Sequence, residues 1–525
     1  MMRRAASLFS AAFAGRVWAA SARNRTFAIV TMTLLPIVLR LALLPILPIP
    51  VPAVHDEFSY LFAAKTFLLG RMANPTPPMW IHLQPFHILS TPTYTSIFPV
   101  GMGLLLAAGQ LVFGNYWFGV CFAVGAMCGA LTWMLYGWLP ARWAVFGGML
   151  AVLQFGIAHY WMNGYWGGAL AGIGGSLVLG SIPRLERQLR IGYSFLFAIG
   201  VALLANTRAF EGLVLTIAVF LSIVYWLARY RRYAWKDVVL RGVLPFALVM
   251  LPVLMAMGLQ FRAATGSAFV IPHELYRRQL AIMQTFVWQP NRPEPHYYHD
   301  VMRQFFVLWE PGYEDAKEWG TWHGLIPCIR ERARVWGACY FPDRLYLPFA
   351  LVSLLAAFTR RVRLLGFYIL FAFGGTLMSY WLIPHYMAPI LGAMLAVHVQ
   401  FLRYVRAWRR WAFNAILVLL AILFAYRYIQ RIPPDPDYWA NYRDQMQREL
   451  EDQPGKHLVY VRYSDHHVLQ DEWVFNEPDI PNSKVIWARV MTPDQDRELN
   501  TYFHDRKLWV VEADASPPVL HRLAP

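Results

Sequence analysis

Charge is scarce in this chain, and negative charge scarcest. Charged residues make up 15% of the 525 positions and hydrophobic ones 57%, whereas a soluble globular domain is about 25% charged and about 45–50% apolar. That balance excludes an ordinary soluble domain. Several windows approach the ~20 apolar residues that a spanning helix needs. The 22 Trp, 27 Tyr and 34 Phe suit a chain with much membrane interface. The sequence therefore reads as a polytopic membrane protein. It shows no repeat between its halves and few ionisable residues inside its apolar runs, which counts against a transporter, because transporter halves commonly match.

The net charge of +16, from 47 basic and 31 acidic residues, would by itself suggest nucleic acid. Its placement argues for topology instead, with no nucleic-acid partner. Apolar helices are expected near 27–50, 116–138, 143–161, 166–182, 191–206, 210–228, 238–259, 344–359, 364–382, 384–402 and 411–429. Every second connection is basic: Arg142; Arg184, Arg187 and Arg190; Arg229, Arg231, Arg232 and Lys236; Arg360, Arg361 and Arg363; Arg403, Arg406, Arg409 and Arg410. The alternate connections hold the acids. Because basic loops stay in the cytoplasm, about eleven spans place the N-terminus inside and the C-terminus outside. Residues 1–26 read as a cytoplasmic amphipathic arm, with a cleaved signal peptide as the alternative. A transmembrane domain follows over 27–430, with outward loops at 51–115 and 260–343.

Residues 431–525 read as a small outward α/β domain. HLVYVRY, VIWARV and KLWVVEAD are branched and aromatic enough for strands, and YRDQMQRELED and DQDRELNTYFHDR read as helices between them. No nucleotide-binding fingerprint accompanies them, so this domain reads as a structural or acceptor-docking cap. The fold class expected is thus mainly α, polytopic, with a C-terminal α/β appendage.

The stretch VHDEFSYLFAAKTFLLG follows the first apolar run and places Asp56 and Glu57 side by side at a membrane mouth. An acid that begins a helix accepts orphan backbone N–H groups and favours the helix dipole. A carboxylate partly removed from water also makes a general base. Neighbours on a helix point about 100° apart, so at most one of the two caps. Phe58, Leu61, Phe62, Leu68 and Leu69 recur at helical spacing, and 57–69 is expected as an amphipathic helix on the outer membrane surface. His55, His82, His87 and the two acids leave room for a divalent metal, although their spacing matches no compact ligand motif. Gly168 and Gly172, four apart after Gly164, indicate close helix packing rather than a phosphate loop. Cys121 and Cys128 fall within a span. Cys328 and Cys339 are read as either a disulfide or two buried thiols. Arg277, Arg278 and Arg303 are cations that a closing outward loop would bring to a phosphate.

The order of span, outward acidic pair and helix, then PPMWIHLQPFHILSTPTYTSIFPVGMGLLLAAGQLVFG, resembles the GT-C glycosyltransferases. Within them it is similar to the bacterial branch related to protein O-mannosyltransferases and lipid A aminoarabinose transferases. The resemblance covers about 27–430, with its specific motifs in 55–115, around 206–212 and at 385–386. It implies an inverting transferase of hexosyltransferase type. The sugar would leave a polyprenyl-phosphate donor for an acceptor hydroxyl at the outer face of a bacterial inner membrane, among membrane lipids. Asp56 would then be the general base, with Glu57 second. Arg208 and Glu211 in NTRAFEG, His385 and Tyr386 in PHY, and His82 and His87 of the first loop would bind substrate. Where many relatives carry a second acidic motif this sequence has HYWMNGYWGG. The rival readings are a transporter and a non-catalytic envelope scaffold, the latter leaving the acidic pair as a helix cap.

Overall fold

A computed structural model describes residues 22–230, 232–312, 319–340, 344–432, 435 and 437–523. Most of the arm expected over 1–26 therefore lies outside the described residues. In chain order the helices are α1 (Arg25–Ala42), α2 (His55–Leu68), α3 (Val100–Phe113), α4 (Trp117–Trp138), α5 (Ala141–Phe155), α6 (Gly168–Arg187), α7 (Ile191–Ala205) and α8 (Ala209–Tyr230). They continue with α9 (Trp235–Thr265), α10 (Pro272–Leu280), α11 (Leu325–Tyr340), α12 (Pro348–Phe358), α13 (Arg363–Thr376), α14 (Pro384–Trp408), α15 (Arg410–Arg431), α16 (Trp439–Asp452) and α17 (Pro493–Tyr502). Short strands β1 (Asn74–Pro75), β2 (Ile88–Leu89) and β3 (Thr93–Ser96) form one small sheet, and β4 (Lys456–Arg462), β5 (Val485–Arg489), β6 (Arg506–Glu512) and β7 (Val519–Arg522) another.

Seven of these helices (α1, α4, α6, α8, α9, α14 and α15) are long and apolar enough to cross a membrane. The chain is a multi-pass membrane protein. Four of the expected spans are realised as the shorter helices α5, α7, α12 and α13. The 15 residues of α5 and of α7 rise only about 22 Å, less than a hydrocarbon core of about 30 Å. The glycines of α6 do serve packing: a Cβ on Gly168 would strike Trp161, on Gly172 Met127 and on Gly175 the Pro389 carbonyl. The cysteines resolve in favour of thiols, since all four are free and buried. Cys328 and Cys339 share α11, eleven residues apart, which places them about 16 Å from one another along the axis, beyond any disulfide.

Contacts divide the described chain into two units that interleave in sequence, one from 22–48, 120–253 and 325–432, the other from 49–119, 254–324 and 435–523. The second unit contradicts the expectation for 57–69. Helix α2 does not lie on a surface; eleven of its 14 residues are buried. Phe58 and Phe62 enter a core shared with Phe86, Tyr94, Phe475 and Ile486, and Phe58 stacks on Phe475 at 4.1 Å. On another side Ala63 and Phe67 press on Gly103 of α3 so closely that a Cβ there would not fit. The 51–115 segment and the C-terminal α/β region thus share one core.

The strands expected from HLVYVRY, VIWARV and KLWVVEAD are β4, β5 and β6, parallel in the order β5-β4-β6, while β7 adds antiparallel to β6. The four residues of β7 were not legible as a strand, being short and mostly exposed. Two contacts of Arg489 tie this sheet region to the first loop, and one of His299 ties the 260–343 segment to it. The Arg489 N–H donates to the His82 carbonyl at 2.9 Å, its guanidinium reaches the Gln84 carbonyl, and His299 Nε2 lies 2.7 Å from the Ile81 carbonyl. The cations of the 260–343 segment are engaged: Arg277 on Glu310 and the Met283 carbonyl, Arg278 on Glu274, Arg303 on Glu294.

Removing Arg277 takes from the buried Glu310 the guanidinium that faces it, a loss that costs about 3–5 kcal/mol for a buried pair. Arg277→Met is expected to lower the thermal midpoint of the purified protein sharply, and Arg277→Met with Glu310→Met to recover most of the loss. A double variant no better than the single one would refute this. A second expectation concerns pH. Burial pushes His299 down to about 3 and holds His55 and His82 below the ordinary histidine value. Each binds a proton more readily unfolded than folded, so stability is full above about pH 6.5 and is lost as pH falls below it. His299→Gln keeps a donor for Ile81 and removes the titration. It should flatten the stability loss between pH 6.5 and 4 by up to about 1.4 kcal/mol per pH unit. Identical pH slopes in the two proteins would count against this origin.

Candidate active site

The start of α2 separates the two adjacent acids by partner. Val54, before the helix, supplies no side-chain cap. Glu57 turns back along the chain that enters the helix, its Oε2 accepting the Ala53 N–H at 2.9 Å. Asp56, one residue earlier and about 100° round the helix, instead meets His87, with Nδ1 and Oδ1 2.6 Å apart. Both carboxylates are buried.

His87 is held in place by strain. Its φ of 57° makes it the one non-glycine residue with positive φ among those described, in a left-handed region that costs a non-glycine residue of order 1–3 kcal/mol. Three neighbours enforce it: the His87 N–H donates to Tyr276 Oη at 2.9 Å, and its carbonyl accepts from Ser59 Oγ at 2.6 Å and from the Ile97 N–H at 3.3 Å. Ser59 lies one turn beyond Asp56 on α2, so one helix carries both the carboxylate and the clamp on its partner. His55 closes the group, stacked on Phe86 at 4.3 Å and edge-on to His87 at 5.5 Å. Burial first, then the neighbouring His87, holds His55 well below its ordinary pKa, which keeps it neutral.

His82 does not join them. It faces Asp496, Nε2 to Oδ1 3.5 Å, and belongs to the seam with the sheet region. With Glu57 turned to the backbone, His55 stacked on Phe86 and His82 on Asp496, the five residues considered for a metal do not assemble a ligand set. Among the described residues no group of three metal-ligating side chains converges.

The remaining predicted residues cluster within the first unit. Arg208 precedes α8, and its guanidinium carbon lies 4.2 Å from the centre of the Tyr386 ring, a cation–π contact that orients the planar cation. His385 is fully buried at the start of α14. Its Nδ1 lies 3.3 Å from Tyr160 Oη and its ring 4.6 Å from that of Trp166, while Nε2 has no hydrogen-bond partner among the described residues. Glu211, in the first turn of α8, lines a small cavity with Tyr386 and Trp336.

Sequence reading missed several members of this cluster. Tyr160 and Trp166 come from HYWMNGYWGG, the stretch standing where an acidic motif was sought, and its density of polar aromatics was the available signal. His159, beside them, is held well below its ordinary pKa by burial and then by Arg427 and Arg431. Arg40 is fully buried and donates at 2.8 Å to the Leu47 and Pro48 carbonyls and to Asn163 Oδ1 of the same stretch. A lone arginine inside an apolar run was its signal.

No protein-family model matches this chain, and no curated protein matches it. Solved structures do. ArnT from Cupriavidus metallidurans in the apo state is 13% identical, with 96% of this chain and 93% of that chain covered at TM-score 0.50. The same protein bound to undecaprenyl phosphate is 13% identical over 94% and 97% at TM-score 0.50. The Archaeoglobus fulgidus oligosaccharyltransferase in complex with Zn and sulfate is 13% identical over 92% and 67% at TM-score 0.49. Over nearly its whole length, the chain has the fold of ArnT.

Proposed function

We propose that this protein is an inverting glycosyltransferase. It takes a sugar from a polyprenyl-phosphate donor and passes it to an acceptor hydroxyl at the periplasmic face of a bacterial inner membrane. The observation that carries the proposal is the division of labour at the start of α2. Glu57 is turned back onto the entering chain, where it accepts the Ala53 N–H. Asp56 is aimed instead at a histidine held in a strained backbone conformation, and strain of this kind persists where a site needs a fixed geometry. A scaffold would have no use for that arrangement.

In this reading Asp56 takes the acceptor hydroxyl proton as its oxygen attacks the anomeric carbon from the face opposite the phosphate. The bond from that carbon to the phosphate oxygen breaks, and the lipid phosphate departs with the electron pair. His87 orients Asp56, and neutral His55 packs behind it without adding charge. The phosphate side requires cations and strong donors. Arg208, set by its stack on Tyr386, and His385, with an unsatisfied buried nitrogen, are suited to that duty. The fold shared with ArnT, one of whose structures holds undecaprenyl phosphate, supports a lipid-phosphate donor. The C-terminal α/β region would receive the acceptor.

Sugar transfer from radiolabelled polyprenyl-phosphate sugars, with envelope extract as acceptor, tests the assignment. Loss of a general base lowers the rate by about 10²–10⁴. Asp56→Asn is expected to show that drop with its fold intact, while Glu57→Gln, which can still accept the Ala53 N–H, should lose no more than about tenfold. Equal rates for Asp56→Asn and the parent would remove Asp56 from the chemistry. Arg208→Gln should act chiefly on the donor: loss of one charge-assisted contact to phosphate, about 1.5–3 kcal/mol, raises the donor KM about 10–100-fold. An unchanged donor KM would place the phosphate elsewhere.

A further inference from the structure

One end of the first unit carries a second polar cleft, of about 600 Å³. It opens where α4, α6 and α8 finish and α5 begins, and Arg25, Arg187, Arg232 and Arg361 line it against a single carboxylate, Glu186. Backbone and rings steady the cations: Arg187 donates to the Gly137 carbonyl at 3.2 Å, Arg232 to the Glu186 carbonyl at 2.9 Å, and the Arg25 guanidinium lies 5.7 Å from the Tyr136 ring centre. None of the four forms an ion pair among the described residues. Retention of basic loops in the cytoplasm accounts for arginines in these connections. It does not account for the convergence of four on one cavity with only Glu186 set against them.

We propose that this cleft binds a phosphate group carried by an anionic membrane lipid. Four guanidiniums suit phosphate oxygens, which arginine grips with paired N–H donors. The start of α5 adds to this. Its Ala141 faces the cleft, and that helix has neither a side-chain cap nor an acid in its first turn, so its leading N–H groups favour an anion. The depth indicates a lipid source: α4, α6 and α8, whose ends build the cleft, are all long enough to span. Trp226 lines it, as aromatic residues do at headgroup level. Basic pockets between spanning helices are a known type of headgroup site.

Native mass spectrometry of the purified full chain offered phosphatidylglycerol, phosphatidylcholine or inorganic phosphate tests this without reference to sugar transfer. The expected result is selective retention of phosphatidylglycerol, weakened about thirtyfold in Arg187→Gln/Arg232→Gln. That figure is the loss of two cations at roughly 1 kcal/mol each. Arg403→Gln, whose side chain does not line the cleft, should retain the lipid as the parent does. Should the double variant fail to fold, the exposed Arg361→Gln is used instead, with about a fivefold loss expected. Retention of phosphatidylglycerol by a folded cleft variant equal to the parent's would overturn the site. Displacement of the lipid by millimolar inorganic phosphate would reassign it to a soluble anion.

Discussion

The 2.6 Å approach of His87 to Asp56 depends on a backbone conformation that histidine does not adopt unaided, and much of the second unit serves to impose it. Ser59 and Tyr276 grip the His87 backbone from α2 and α10, and Ile97 completes the clamp beyond β3. The local penalty of order 1–3 kcal/mol is offset by burial of the aromatic cluster around it, in which His55, Phe86 and Phe305 lie within ring contact. Several elements distant in sequence are thus needed to hold one imidazole against one carboxylate.

The same requirement explains why the polar segments of this chain do not stand as separate domains. The 51–115 segment is too short to bury α2 alone. Its hydrophobic face is completed by Tyr276, Met302 and Phe305 from one segment and by Phe475, Ile486 and Phe503 from another. Arg443 shows how tightly these are joined: it donates to the Trp473 and Phe475 carbonyls and lies over the rings of both Phe58 and Trp487. In the first unit Arg40 plays a comparable part, holding the Leu47 and Pro48 carbonyls of the segment that follows α1.

Sequence legibility followed the range of the forces involved. Apolar runs, basic connections and the three long strands of the terminal region are local signals, and the corresponding helices and strands lie close to where hydropathy and branching place them. Asp56, His87, Arg208, His385 and Tyr386 were legible as candidates because acids and histidines at a membrane boundary stand out against apolar surroundings. The surface placement of 57–69 was misjudged because helical periodicity reports where apolar residues recur, while the polar residues between them, Ser59 and Thr66, are buried through bonds to the His87 and Phe62 carbonyls.

By itself, then, the sequence determined a multi-pass helical protein with an acidic pair soon after its first apolar run and an α/β region near its end, since composition and periodicity act within a few residues. Only the tertiary structure decided that Glu57 turns to the Ala53 N–H while Asp56 meets His87, that Cys328 and Cys339 remain thiols, and that Tyr160 and Trp166 of HYWMNGYWGG meet His385. Each of those outcomes rests on a backbone direction or a contact across dozens to hundreds of residues, and no local pattern encodes where such a partner will arrive.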